Sequence, residues 1–150
     1  MISKEKYAGM IENLPICCVD LIIVHKNKIL LLKRKNPPLK NEWWIPGGRL
    51  YKNELLKDAV KRKAREEAGI DVEIVRQLGA YEHIFKDSAF EGVQTGTHTV
   101  GATFIVKPKN EEINIKVDKD SKGFKWIDKI PEDSPDLLKK ILSDSKIFNL

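Results

Sequence analysis

The sequence predicts a mixed α/β or α+β sandwich, on three observations. Strand-like apolar runs bounded by turn residues come in succession, a long central stretch changes to helical period, and shorter helical patterns stand at both ends. Taken in order, Ser3 is placed to cap a helix running to about Asn13, with Tyr7, Met10, Ile11 and Leu14 on its apolar side, and Pro15 ends it. ICCVDLIIVH and KILLLKR read as two strands joined at Lys26-Asn27, where Asn tolerates the left-handed backbone of a two-residue hairpin. NPPLKNEWWIPGGR is rich in breakers and reads as a loop, with a short strand signal from Trp43 to Ile45. From Glu54 the apolar residues Leu55, Leu56, Ala59, Val60, Ala64 and Ala68 recur every three or four positions until Gly69 supplies the stop. Strand candidates follow in VEIVRQLGAYEHIF, THTVGATFIV, EINIKV and GFKWID. A last helix opens at Ser134-Pro135 and buries Leu137, Leu138, Ile141 and Leu142.

At 150 residues the chain has the length of one domain, and no repeat or linker divides it, so a single domain over 1–150 is expected. Its 41% hydrophobic and 33% charged residues exclude both disorder and a membrane span. The N-terminus lacks the apolar centre of a secretory signal, which points to a cytoplasmic protein. Cys17 and Cys18 are adjacent, so on a strand they face opposite sides and make neither a disulfide framework nor a zinc site. The net charge of +5 is spread along the chain without aromatic interleaving, which argues against nucleic acid and suits a small anionic ligand.

The chemistry concentrates in GGRLYKNELLKDAVKRKAREEAGI, residues 47–70. A Gly-Gly turn lets backbone approach a ligand closely, and Arg49 follows with a fork suited to phosphate oxygens. Glu66 and Glu67 stand in the last turns of the helix, with Glu54 at its start. Carboxylates beside a glycine loop and basic residues suit Mg²⁺, which takes one or two carboxylates together with substrate phosphates and water. The same charges also fit a solvated helix laced by Asp58–Arg62 and Arg62–Glu66 pairs.

This stretch resembles the Nudix box, G-x5-E-x7-R-E-U-x-E-E-x-G-U with U a bulky aliphatic. Gly48, Glu54, Arg62, Glu66, Glu67, Gly69 and Ile70 fall in register. The resemblance implies a Nudix-type α/β/α sandwich around a mixed sheet, with the loop and helix at about 47–70. Two positions depart: Lys63 stands where the box has its first glutamate, and Ala64 where it has the aliphatic. Lys63 cannot bind Mg²⁺, and from its helix face it reaches toward Glu67. Among Nudix proteins, the GDP-mannose mannosyl hydrolases also lack that glutamate. The chain is similar to them almost throughout: Tyr7 and Pro15, Asp20 in its strand, LLLKRKNPP, WWIPGGR, EHIF, THTVG and FKW.

That resemblance implies hydrolysis of a nucleoside-diphosphate sugar at the anomeric carbon, in a homodimer. It implies Mg²⁺, or Mn²⁺, held by the Gly47 carbonyl and Glu67, with Glu66 beside them. Arg34 and Arg49 match arginines that hold the diphosphate, and Asp20 and His83 match the sugar side. Where the subfamily has a Gln-His pair as metal ligand and base, this chain has Asp120 and Ser121. Asp120 then serves as ligand, and Asp118 or Asp120 as base, unless this acidic loop is only a surface turn. His98 lies on an alternating strand and faces either site or core, and Tyr7 either stacks on a base or packs. Two other readings stay open: a phosphoanhydride-cleaving Nudix enzyme acting on ADP-ribose-like or nucleoside triphosphate substrates, and a binding module without turnover.

Overall fold

The protein is described here as a computed structural model, over residues 2–148. Its elements are α1 (Lys4–Asn13), β1 (Ile16–His25), β2 (Lys28–Arg34), β3 (Trp43–Trp44), β4 (Gly47–Arg49), α2 (Leu56–Ala68), β5 (Val72–Phe85), β6 (Thr97–Pro108), β7 (Ser121–Ile127) and α3 (Asp136–Ser145). The sheet is mixed. Its main path runs β3-β2-β1-β6-β5, with β4 against β1 and β7 against β2. β1 pairs parallel with β6 from Ile16↔Thr99 to Ile23↔Val106, while the remaining pairings are antiparallel.

The period of two along β1 and β2 sorts the core into two layers. Val19, Leu21, Ile23, Leu30 and Leu32 face α2 and meet Ala59, Val60, Ala64 and Ala68. Ile22, Ile29 and Leu31 face the other way, onto Leu138, Ile141 and Leu142 of α3. Each such buried aliphatic contributes roughly 1.5–3 kcal/mol, and a helix made of alanines on its inner face lets α2 lie close to the strands. This is the α/β/α sandwich the sequence implies.

The hairpin at Lys26-Asn27 has φ of 51° and 61°, as expected for its turn, and α2 ends on Gly69 in the left-handed conformation. Four local expectations are corrected. Gly47–Arg49, read as loop, forms the short strand β4, because its backbone finds partners on Cys18–Asp20. Residues 112–117, read as a strand, join no ladder: Ile113, Ile115 and Val117 pack on the core, but Lys116 N–H donates to the Ala68 carbonyl at the end of α2. On α1, only Ile11 is buried, and Met10 and Leu14 stay exposed since the helix lies at the sheet's margin. α3 begins after Pro135 with no side-chain cap from Ser134, and its Leu137 is only half-buried because it borders a cleft. Among the described residues no helix is long and apolar enough to cross a membrane.

Candidate active site

β1, β2 and β4 meet where β1 changes partners, and a two-part cleft opens over that junction. Its inner compartment, about 200 Å³, is lined by Asp20, Trp44, Tyr81, His83 and Thr99. Its outer compartment, about 460 Å³, is lined by Lys63, Glu67, Tyr51, Phe90, Asp120 and Ser121. Tyr7, Arg34 and Gly47–Arg49 border both, so two arginines stand at the waist.

Each arginine is held by its own surroundings. Arg34 Nε donates to the Pro38 carbonyl at 2.6 Å, and its guanidinium faces the carboxylates of Glu67, Asp120 and Asp20. The Arg49 guanidinium lies 4.1 Å over the Tyr7 ring and 5.2 Å from that of Tyr51, an aromatic cradle that holds the fork in place. Both forks can therefore meet an anion without first leaving an ion pair.

Gly47 makes the junction possible. A Cβ there would overlap the Asp20 carboxylate and stand 2.5 Å from the Val19 carbonyl oxygen. The Gly47 N–H donates to Glu67 Oε2 at 2.7 Å, which ties the loop to the end of α2. Glu67 is 13% exposed, and burial pushes its carboxyl up to about 7, with Asp118 adding like-charge repulsion against the pull of Lys63. Such a carboxylate is under-compensated, and its surroundings offer hard oxygen donors. The donor set fits an ion of the Mg²⁺ class bound by one carboxylate with backbone, phosphate and water oxygens. Among the described residues no three Asp, Glu, His or Cys side chains converge into a closed protein cage.

Glu54 and Glu66 serve Arg62. Its Nε and Nη2 grip Glu54 at 2.7 and 2.9 Å, Nη1 reaches both Glu66 oxygens at 3.2 Å, and Nη2 also donates to the Arg49 carbonyl at 3.0 Å. The expected Asp58–Arg62 pair is absent, because Glu54 takes the guanidinium in bidentate geometry. Arg62 thus fastens the loop after β4 onto α2.

Asp20 lies on the floor of the inner compartment, enclosed by protein but with part of its carboxyl open to the cavity. Burial raises its pKa from 3.8 to about 7, against the attraction of Arg34. Below about pH 4 folded and unfolded chains both hold that proton. As pH climbs toward 7 the unfolded chain releases it first, and the folded state loses roughly 1–3 kcal/mol after allowing for cavity water. Asp20→Asn is therefore expected to gain that much over the parent in urea unfolding at pH 8, and almost nothing at pH 4. An equal difference at both pH values would contradict the assignment. His83 stacks on Phe85 at 3.7 Å, and its buried Nδ1 has no partner.

Three expected residues are placed outside the cleft lining. His98 alternates with Thr97 and Thr99, which face the inner compartment, so its imidazole turns to the opposite side and pairs with Glu82 at 2.9 Å. Glu66 is 43% exposed and already shared by Arg62 and Lys63. Asp118 Oδ1 accepts the Asp120 N–H at 3.0 Å, so it shapes the turn that presents Asp120. Tyr51 and Phe90 were not anticipated. Phe90 meets Tyr7 edge to face at 5.3 Å, from a β5–β6 loop fastened to α1 by Gln94 N–H donating to Glu12 at 2.7 Å. No periodicity marks that loop, whereas Tyr51, two residues after Arg49, was visible.

A family model described as the NUDIX domain matches residues 17–137, a span that holds Asp20, Arg34, the glycine turn of β4 and all of α2. The chain belongs to the NUDIX domain family. It is 37% identical over 114 residues to the low-salt glycan biosynthesis protein Agl8 of Haloferax volcanii, covering 76% of this chain and 72% of that one. Over the same length it is 33% identical to the ADP-ribose pyrophosphatase of Methanocaldococcus jannaschii, at 76% and 62% coverage. The crystal structure of a MutT NUDIX hydrolase from Burkholderia pseudomallei superposes with a TM-score of 0.69 at 26% identity, over 88% of this chain and 98% of that one. This Nudix chain is a hydrolase, and enzymes of its kind act on small nucleotide-type substrates with divalent metals.

Proposed function

We propose that this Nudix hydrolase cleaves a nucleoside-diphosphate sugar at the sugar's anomeric carbon, with GDP-mannose the first compound to test. The observation that carries the reading is the two-part cleft with Arg34 and Arg49 at its waist. A diphosphate at the waist sends one end of the ligand into each compartment. The inner one, with Asp20, His83 and Thr99, offers polar partners for hydroxyls, and a sugar hydroxyl would satisfy the orphaned His83 Nδ1. The outer one, with Tyr7, Tyr51 and Phe90, offers aromatic faces to a base. The relative named for glycan biosynthesis supports a sugar-bearing substrate.

In this reading Glu67 and the Gly47 carbonyl hold Mg²⁺ or Mn²⁺, which when bound supplies positive charge to the diphosphate. Arg34 and Arg49 bind the same oxygens and stabilise the charge they gain as the bond to carbon breaks. Asp120 faces the cleft with one carboxylate oxygen accepting from Asn36 at 3.3 Å. The other, on the Arg34 side of the waist where the anomeric carbon would sit, takes the proton of the attacking water. The water oxygen bonds to the anomeric carbon, and the electron pair of the broken C–O bond leaves with the nucleoside diphosphate. The cleft then acts on a cytoplasmic metabolite in one domain spanning 1–150, with neither nucleic acid nor membrane as partner, and a second copy of the chain completes a homodimer.

Attack at phosphorus is the second reading, favoured by the ADP-ribose pyrophosphatase relative. Phosphorus NMR of products from GDP-mannose and ADP-ribose separates the two. Nucleoside diphosphate with free sugar is expected, whereas monophosphate with sugar phosphate would establish cleavage between phosphates.

A further inference from the structure

Lys63 points from α2 into the acidic end of the cleft, beside Arg62. Its Nζ lies 3.2 Å from Glu66 Oε2 and 3.8 Å from Glu67 Oε2, and its side chain is only 15% exposed. Its stem runs against Gly48: a Cβ at that glycine would come within 2.7 Å of Lys63 Cε and 2.9 Å of Nζ. The missing side chain at Gly48 is therefore the slot that seats the lysine. The neighbouring cation, Arg62, is spent on Glu54, Glu66 and the Arg49 carbonyl, so Lys63 is the α2 cation left facing Glu67, which Arg34 also faces from the waist.

We infer that the Lys63 ammonium is a tethered resident cation that occupies the Glu66–Glu67 side of the site, limits the protein to a single divalent ion per chain, and weakens the binding of that ion. A lysine in this place has two consequences for metal. It neutralises the carboxylate pair, and it repels a divalent ion brought to Glu67 across a partly dehydrated gap, where two charges a few ångströms apart interact far more strongly than in bulk water. Glu66 is thereby closed to metal, held between two protein cations. Both Lys63 and the Gly47 N–H address Glu67 Oε2, which leaves Glu67 Oε1 for the remaining ion.

The inference rests on the reading of Glu67 as the metal-holding carboxylate, but its test needs no substrate, so a wrong substrate leaves it standing. The test counts Mn²⁺ bound to the full chain by electron paramagnetic resonance, with no nucleotide present. The parent is expected to bind one Mn²⁺ weakly. Lys63→Met is expected to bind that ion about tenfold more tightly or better, by removal of the repulsion. Lys63→Glu is expected to take a second ion per chain. Lys57→Met, on an exposed position of the same helix, removes an equal charge and is expected to change affinity less than about twofold. Should Lys63→Met unfold, Lys63→Gln replaces it with the same expectation. Two ions bound to the parent, or equal gains from Lys63→Met and Lys57→Met, would overturn the inference.

Discussion

Glu67→Gln is expected to lower kcat/KM by about three orders of magnitude while leaving the protein folded. The substitution keeps the shape and the acceptor for the Gly47 N–H, so the loop stays tied to α2. What it removes is the negative charge that, in this account, holds the ion and balances Arg34 and Lys63. Burial already holds this carboxyl up at about 7, so an amide in its place relieves a cost. Thermal unfolding at pH 8 should accordingly show a melting temperature equal to the parent's or higher. Loss of activity together with a large loss of stability would mean that Glu67 is a structural tie and no more. Retained activity would remove it from the chemistry altogether.

Gly47→Ala should be the most damaging small change in the loop. The added methyl meets the Val19 carbonyl, which the β1–β4 pairing fixes, and the Asp20 carboxylate on the cleft floor. Neither can move without opening the sheet or displacing the group proposed to meet the sugar. Overpacking of this kind costs about 1–3 kcal/mol, and misplacement of the loop by an ångström costs about a hundredfold in rate. Gly48→Ala is the control: the nearest atoms its methyl meets belong to the flexible end of Lys63, so urea unfolding should register well under 1 kcal/mol. Equal losses at the two glycines would show that backbone freedom matters here and close approach does not.

Much of this is legible in the sequence. Alternation along ICCVDLIIVH and KILLLKR, and the alanine stripe of α2, led directly to a sheet covered on both faces. The box spacing brought Gly47, Arg49, Lys63 and Glu67 into one place, since a glycine loop followed by a helix leaves few ways to arrange them. The reach of Lys63 to Glu67 followed from four-residue helical spacing alone. What stayed hidden depends on long-range packing. That Glu54, and not Asp58, grips Arg62 depends on where the loop after β4 folds back. That His98 faces away from the cleft depends on the register of β6 against β5. Phe90 reaches Tyr7 through a loop whose path is set by Glu12, and no local pattern encodes that bond. EINIKV misled because alternation records which side faces the core, whereas a ladder also needs a free strand edge, and here the backbone turns to α2 instead.

The central claim is attack at carbon, and the most direct test is hydrolysis of GDP-mannose in water enriched with oxygen-18, with mass spectrometry of both products. The account predicts the heavy oxygen on the free sugar and an unlabelled nucleoside diphosphate. Label on a phosphate, with the sugar carrying none, would contradict it and place the nucleophile on phosphorus.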